Sequence, residues 1–92
     1  MNVAATIRER LAQLDPLALE LVDESEAHRG HSGWREGGAT HWRLAIVSAR
    51  FAGQSTLARH RMVYQALGEL MQHPIHALAI TARSPEETKG KQ

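Results

Sequence analysis

Two prolines, Pro16 and Pro74, stand where the hydrophobic periodicity of this sequence changes, and they limit the folds open to it. Proline and the residue before it are both disfavoured inside an α-helix, so each proline predicts a helix end. Before Pro16, a helix capped by Asn2 is predicted from apolar residues at helical spacing: Val3, Ile7, Leu11 and Leu14. After it, leucine recurs at every second position from Leu17 to Leu21, which is typical of a strand with one buried face.

The same change from helix to strand occurs at Pro74. A second helix is predicted over residues 57–72, with Ser55 or Thr56 as its cap. Its predicted apolar stripe is wide and consists of Leu57, His60, Tyr64, Leu67 and Met71, with Val63 and Leu70 beside them. A strand is predicted at residues 75–82.

A further strand is predicted between these halves, over residues 41–48, with Trp42, Leu44 and Ile46 on one face. Residues 25–39 before it carry four glycines and are typical of a long irregular loop, of which we expect 26–39 to be flexible. The first two strands can pair as a wide hairpin. The helical crossover between the last two predicts that they run parallel.

The chain has 92 residues, enough for one hydrophobic core, so we predict a single domain over residues 1–92. Helices on one face of a three-stranded mixed sheet give it the α+β class. Near the C-terminus, residues 84–87 are typical of the cap and first turn of a short helix, and we expect the tail over 86–92 to fray.

The sequence contains no cysteine and six histidines: His28, His31, His41, His60, His73 and His76. The absence of thiols excludes a disulfide scaffold, a thiol nucleophile and any cysteine-ligated metal site built by this chain alone. A site made of imidazoles stays open. No apolar run approaches the roughly 20 residues of a membrane span, and no secretory signal is recognisable, so we expect a cytoplasmic protein without a membrane partner.

Positive charge is concentrated in the middle of the chain. Residues 37–68 contain four arginines and no acid, although the net charge of the whole chain is only +1. The turn and helix start that carry Arg50, Gly53, Arg59 and Arg61 are suited to phosphate contacts. The sequence offers no nucleophile with a paired base, no phosphate loop and no convincing carboxylate pair, so we predict no enzymatic activity.

Six strings occur in a specific order along the chain. They are Asp23-Glu24-Ser25 with a histidine three residues on, Thr40-His41-Trp42-Arg43, Ile46-Val47-Ser48, Phe51-Ala52-Gly53, Arg59-His60-Arg61-Met62-Val63-Tyr64 and Ile75-His76-Ala77-Leu78-Ala79-Ile80. Over nearly the full length, this sequence resembles the BolA-like family in its bacterial, histidine-loop form, with Trp42 where phenylalanine is usual. The resemblance implies the order α-β-β-α-α-β-α, close to the class II KH arrangement.

The resemblance also implies a function. Members of the family partner monothiol glutaredoxins and, with glutathione, share a [2Fe-2S] cluster at the interface, in iron–sulfur trafficking or iron sensing. The family's own ligands correspond here to His76 and to one loop histidine, His28 or His31. Two imidazoles can replace two thiolates on such a cluster and raise its reduction potential. We expect the isolated chain to hold no metal.

The alternative function implied by the resemblance is a DNA-binding regulator of transcription, morphology or stress response. Duplex DNA would then contact the basic turn and helix through Arg50, Gly53, Arg59 and Arg61. We predict structural roles for the other three histidines. We expect His60 to be buried and hydrogen-bonded, His41 to order the end of the loop, and His73 to lie at a helix end.

Overall fold

The computed structural model of the protein describes residues 2–25 and 38–89. These residues form three α-helices and three strands: α1 (Val3–Leu11), β1 (Ala18–Asp23), β2 (His41–Val47), α2 (Thr56–Leu67), β3 (Ala77–Arg83) and α3 (Pro85–Lys89). Short 3-10 helices follow α1 at Ala12–Leu14, precede α2 at Ala49–Phe51 and follow it at Gly68–Met71. Two consecutive helices were expected between β2 and β3. The structure has one α-helix there, α2, with a 3-10 turn on each side. None of the helices in these two ranges is long and apolar enough to span a membrane.

The three strands form one mixed sheet in the order β1-β2-β3. β1 pairs with β2 antiparallel, with Leu21 opposite Leu44, and β2 pairs with β3 parallel, with Leu44 beside Ile80. The predicted directions are confirmed, because the hairpin and the helical crossover impose them. Parallel pairing places the starts of β2 and β3 side by side, so that His41 is in register with Ala77.

One face of the sheet carries the hydrophobic core. Trp42, Leu44 and Ile46 are buried there as predicted, in one cluster with Ile7 and Leu11 of α1. The other face is open, and its exposed residues are Ala18, Glu20, Val22, Arg43, Ala77, Ala79 and Thr81. The helices that build the core therefore lie on one side of the sheet, as the α+β prediction requires.

The buried face of α2 differs from the predicted stripe. Leu57 and Tyr64 are 60% and 41% exposed, and His60 is only half-buried. Leu67, Val63 and Leu70 of the predicted stripe are buried as expected. The predicted stripe omitted Ala66, which is also buried and lies at helical spacing from Val63 and Leu70.

The end of α2 is also earlier than predicted. The α-helix stops at Leu67, because Gly68 takes a positive φ of 57° that a continuing helix does not allow. A 3-10 turn continues to Met71, so Pro74 follows the helix without ending it. The start of α2 is confirmed, since the Ser55 hydroxyl accepts a hydrogen bond from the Ala58 N–H at 3.0 Å.

The C-terminal segment forms α3, which confirms the cap and first helical turn predicted at residues 84–87. The N–H of Ser84 donates to the Glu87 carboxylate at 2.8 Å. Arg59 of α2 donates two further hydrogen bonds to Glu87, at 2.7 and 3.0 Å. The structure therefore places residues 86–89 of the tail expected to fray in a hydrogen-bonded helical turn. The flexible-loop prediction for residues 26–39 lies outside the described residues over 26–37, and the tail prediction does so over 90–92.

Two leucines of α2 test this assignment of its buried face. We expect Leu67→Ala to lower the free energy of unfolding by about 2–5 kcal/mol, because it opens a cavity in the core. Leu57→Ala truncates an exposed side chain, so we expect a loss of no more than about 0.5 kcal/mol. Urea unfolding of both variants measures the two values, and equal losses would contradict the assignment.

Candidate functional site

His76, one of the predicted ligands, lies immediately before β3, and its side chain is exposed. Its backbone N–H donates to the carbonyl oxygen of Thr40 at 2.7 Å, and the N–H of Ala77 donates to the same oxygen at 3.1 Å. The preceding residue, Ile75, is buried in the core. The backbone of His76 is therefore fixed on both sides, while its imidazole remains accessible.

A second imidazole lies beside His76. His41 is the first residue of β2, and it is only 4% exposed. The ring centroids of His41 and His76 are 5.4 Å apart, with the planes tilted by 52°. Nδ1 of His41 is 2.9 Å from the hydroxyl oxygen of Thr40. The expectation that His41 orders the loop end did not include this contact, although both histidines stand at the starts of strands predicted to be parallel neighbours.

The residues that flank the loop are joined by a group of short hydrogen bonds. We call Asp23, Ser25, Thr40 and His41 the loop-end cluster. The Ser25 hydroxyl donates to Oδ1 of Asp23 at 2.6 Å, and it accepts from the N–H groups of Thr40 and His41 at 3.0 and 3.2 Å. Ser25 and Thr40 are each 1% exposed. Because Ser25 precedes the loop and Thr40 follows it, the cluster closes the loop beside His76.

Asp23 serves this cluster as an ionised acceptor. Its partial burial would by itself raise the pKa of Asp23, but hydrogen bonds from the hydroxyl and N–H of Ser25 and from the N–H of Ala39 outweigh that effect. Together with the nearby His41, they hold the pKa of Asp23 below its usual value. The carboxylate is therefore negative at neutral pH and accepts hydrogen bonds only.

A shallow groove of about 250 Å³ lies at the starts of β2 and β3 and is lined in part by His41. Its walls are apolar except for the ends of β1 and β2, and its lining residues are Glu24, His41, Trp42, Ala77, Leu78 and Ala79. Glu24 forms an ion pair with Arg43. The groove thus runs from His41 along the first residues of β2 and β3.

The loop histidines His28 and His31 lie outside the described residues, so their distance from His76 is not part of the structure. Within residues 2–25 and 38–89, no three side chains of the types that ligate metals are grouped to hold an ion. The described side chains near the loop that can ligate a metal include the imidazoles of His41 and His76. Taken by themselves, the residues in these two ranges do not form a complete metal site.

Two arginines of the predicted DNA-binding region, Arg50 and Arg59, form hydrogen bonds within the fold. The Arg59 guanidinium donates to Glu87, to the Gln54 carbonyl at 2.9 Å and to the Ala82 carbonyl at 3.0 Å, and its side chain is 11% exposed. Arg50 donates to Asp15 at 2.7 and 3.0 Å. Most donors of Arg59 are therefore occupied within the fold, and its predicted contact with phosphate stays a prediction.

Two other residues of that region remain on the surface. Gly53 is exposed at a positive φ of 76° in the turn before α2, and Arg61 is exposed on α2. His60, expected to be buried, is half-buried with its ring edge-on to Tyr64 at a centroid distance of 6.5 Å. His73 is exposed next to the 3-10 turn after α2, as expected.

Comparison with known proteins decides the family. The sequence model described as BolA-like protein matches residues 11–87. The chain belongs to the BolA-like family. BolA-like protein 1 of Bos taurus is 49% identical to it over 88 residues, which cover 95% of this chain and 62% of that protein. The chain thus spans about three-fifths of the length of that relative. The DNA-binding transcriptional regulator BolA of Escherichia coli (strain K12) is 38% identical over 100% of this chain and 85% of its own length.

Solved structures confirm the BolA-like fold. The BolA domain of SufE1 from Arabidopsis thaliana superposes with a TM-score of 0.80 at 43% identity, covering 90% of this chain and 92% of that domain. BolA1 from the same plant gives 0.82 at 35% identity, covering 95% and 96%. The three-stranded mixed sheet with its helices is therefore shared with experimentally determined family members.

The Arg59–Glu87 pair makes a pH-dependent prediction. Hydrogen bonds from Arg59 and from the Ser84 N–H lower the pKa of Glu87 from its ordinary 4.5 to about 2. A lowered pKa in the folded state gives stability that is fully present above the ordinary value and is lost as the pH falls through the folded value. We therefore expect the Ser84 amide proton, followed by NMR, to keep its chemical shift down to about pH 3.5. Glu87→Gln is the control that abolishes the titration, and a midpoint near 4.5 in the unaltered protein would contradict the pairing.

Proposed function

We propose that this BolA-like protein binds a monothiol glutaredoxin and shares a [2Fe-2S] cluster with it. In this proposal His76 is one ligand and a loop histidine, His28 or His31, is the other. The observation that carries the proposal is the position of the exposed His76 imidazole beside the closed ends of the loop that contains both candidates. The protein would act as a binding protein of the cytoplasm and not as an enzyme.

The reach of the chain supports this ligand pair. Ser25 is hydrogen-bonded to the backbone of His41, whose ring contacts His76. His28 is three residues from Ser25, so covalent geometry alone limits it to about 11 Å from that fixed point. His31 is six residues away and within about 22 Å. Both remain candidates, and His28 has the shorter tether.

The chemistry of the chain supports a shared cluster over a resident one. Iron in a [2Fe-2S] cluster accepts two imidazoles in place of two thiolates. A protein without cysteine can supply that half of the ligand set and no more. Thiolates from the glutaredoxin and from glutathione would complete it. His76 would provide one ligand on fixed backbone, and His28 or His31 would provide the second.

Anaerobic reconstitution with a monothiol glutaredoxin and glutathione tests the proposal. We expect the mixture to show visible absorption and circular dichroism that differ from those of the glutaredoxin homodimer. His76→Ala should restore the homodimer spectrum, because one imidazole ligand is lost. His73→Ala is the matched control, since it removes an exposed imidazole three residues away. A mixed spectrum unchanged by His76→Ala would contradict the ligand assignment.

The E. coli relative's description as a DNA-binding transcriptional regulator supports a second candidate function through Arg61 and the Gly53 turn. Each phosphate contact contributes about −0.9 to the slope of log affinity against log salt for duplex DNA. We expect Arg61→Gln to reduce this slope by about one contact, since Arg61 is exposed on α2. Arg59→Gln should leave it unchanged, because Glu87 and two carbonyl oxygens occupy the Arg59 guanidinium. An equal reduction by both substitutions would contradict that difference.

A further inference from the structure

The strand β3 forms an outer edge of the sheet, because the order β1-β2-β3 gives it one neighbouring strand among the described residues. The carbonyl oxygen of Arg83 faces β2 and accepts from the Ser48 N–H at 2.9 Å. Successive residues of a strand direct their backbone groups to opposite sides. The carbonyl oxygen of Ala82 therefore faces the outer edge, where it accepts from the Arg59 guanidinium at 3.0 Å.

Two further residues of β3, Leu78 and Ile80, point to the same outer edge as Ala82. Within residues 2–25 and 38–89, nothing is hydrogen-bonded to their outward N–H and C=O groups. Such groups are a template for pairing with another strand, and proteins usually protect an edge with charged residues or proline. Residues 77–82 contain neither.

The other outer strand, β1, is protected in this way. Pro16 precedes it, and the acids Glu20 and Asp23 lie within it. Two copies of β1 placed side by side would bring like charges together, which destabilises a strand pair. Of the two outer strands, β3 is therefore the one suited to pairing with a second copy of itself.

We propose that two copies of this chain pair through β3, antiparallel, about a two-fold axis at Ala79. In this register Leu78 of each copy lies opposite Ile80 of the other. Each of these two pairs exchanges two N–H···O=C hydrogen bonds, so four bonds use all four free groups of each copy. The two Ala79 residues lie opposite each other as a non-hydrogen-bonded pair.

The two ends of β3 limit the ladder to this register. The next hydrogen-bonded pair on either side would be His76 of one copy with Ala82 of the other. The Ala82 carbonyl already accepts from Arg59, and the His76 N–H already donates to the Thr40 carbonyl. The proposed ladder thus ends where the free backbone groups end.

The side chains of β3 also favour a second copy as the partner. Leu78 and Ile80 are half-buried against the core, so placing each opposite the other extends the apolar surface across the joint. On the open face, Ala77 would lie opposite Thr81, and these small residues leave room for the second strand. The two-fold pairing closes on itself and gives one six-stranded sheet, which is an ordinary size. The pairing does not depend on the glutaredoxin proposal.

Single cysteines test the register, because the chain has no cysteine of its own. In the proposed dimer the two Ala79 Cα atoms would be about 4.5 Å apart, within the disulfide range of about 4.4–6.8 Å. Thr81 is the matched control, since it is also exposed on β3. The two Thr81 Cα atoms would be about 13 Å apart, which no disulfide spans.

With diamide as the oxidant, we expect Ala79→Cys to form a disulfide-linked dimer on a non-reducing gel and Thr81→Cys to remain a monomer. Equal linking of the two variants would overturn the register, and so would a failure of both to link.

Amide hydrogen exchange in the unaltered protein tests the pairing itself. When the protein concentration rises from about 10 µM to about 1 mM, we expect slower exchange at Leu78 and Ile80 and a dimer mass by sedimentation. Leu21 is the control amide, because its N–H points to the outer edge of β1, on the side opposite the Glu24 N–H that donates to His41.

A monomer at about 1 mM would overturn the proposal. A dimer that protects Leu21 and leaves Leu78 and Ile80 unprotected would also overturn it. Protection of Leu78 and Ile80 that requires added glutaredoxin would assign this edge to that partner and overturn the pairing of copies. Failure to form a mixed cluster complex would contradict the proposed function and leave these measurements unaffected.

Discussion

The site depends on the hydrogen bonds of the Ser25 hydroxyl. This hydroxyl joins the end of β1 to the start of β2 through one bond to Asp23 and two to backbone N–H groups. The strand it fixes is the central one, and the Thr40 carbonyl at its start accepts from His76 and Ala77 at the start of β3. The Ser25 hydroxyl and the Thr40 carbonyl together connect all three strands at the ends of the loop. The buried side chains of Ser25 and Thr40 are tolerated there because each is hydrogen-bonded.

The two candidate functions rely on different parts of the surface, and the ion pairs of the fold affect them differently. The basic stretch around α2 would look in isolation like a phosphate-binding surface, but the fold pairs Arg59 with Glu87 and Arg50 with Asp15. Both acids lie far from the basic stretch in sequence. The edge that carries His76 shows the opposite pattern, because an exposed imidazole is left there on rigid backbone. An exposed imidazole is therefore available at His76, whereas Arg50 and Arg59 near α2 are already paired with acids.

Much of the fold could be predicted from the sequence, and less of the site. Alternating leucines, two prolines and the helical crossover were sufficient for the strand directions, since these signals are local and strong. Leu57 and Tyr64 were wrongly assigned to the buried face of α2, because both carry apolar surface yet are exposed. Hydrophobicity alone does not report which side of a helix packs on the core. The contacts of Ser25, Thr40 and His41 join residues up to 16 positions apart. Their bonding follows from strand register, which no local pattern specifies. The same holds for the Arg59–Glu87 pair.

The central claim is that a glutaredoxin-borne cluster is bound at the edge formed by the loop-end cluster and His76. Paramagnetic line broadening in the ¹⁵N-labelled protein, mixed with unlabelled cluster-loaded monothiol glutaredoxin, measures the location of that cluster directly. The account predicts that amide signals around Ser25, residues 40–42 and 75–77 are broadened most, and that those of residues 53–61 are retained. Broadening centred on residues 53–61, with the signals around His76 intact, would contradict it.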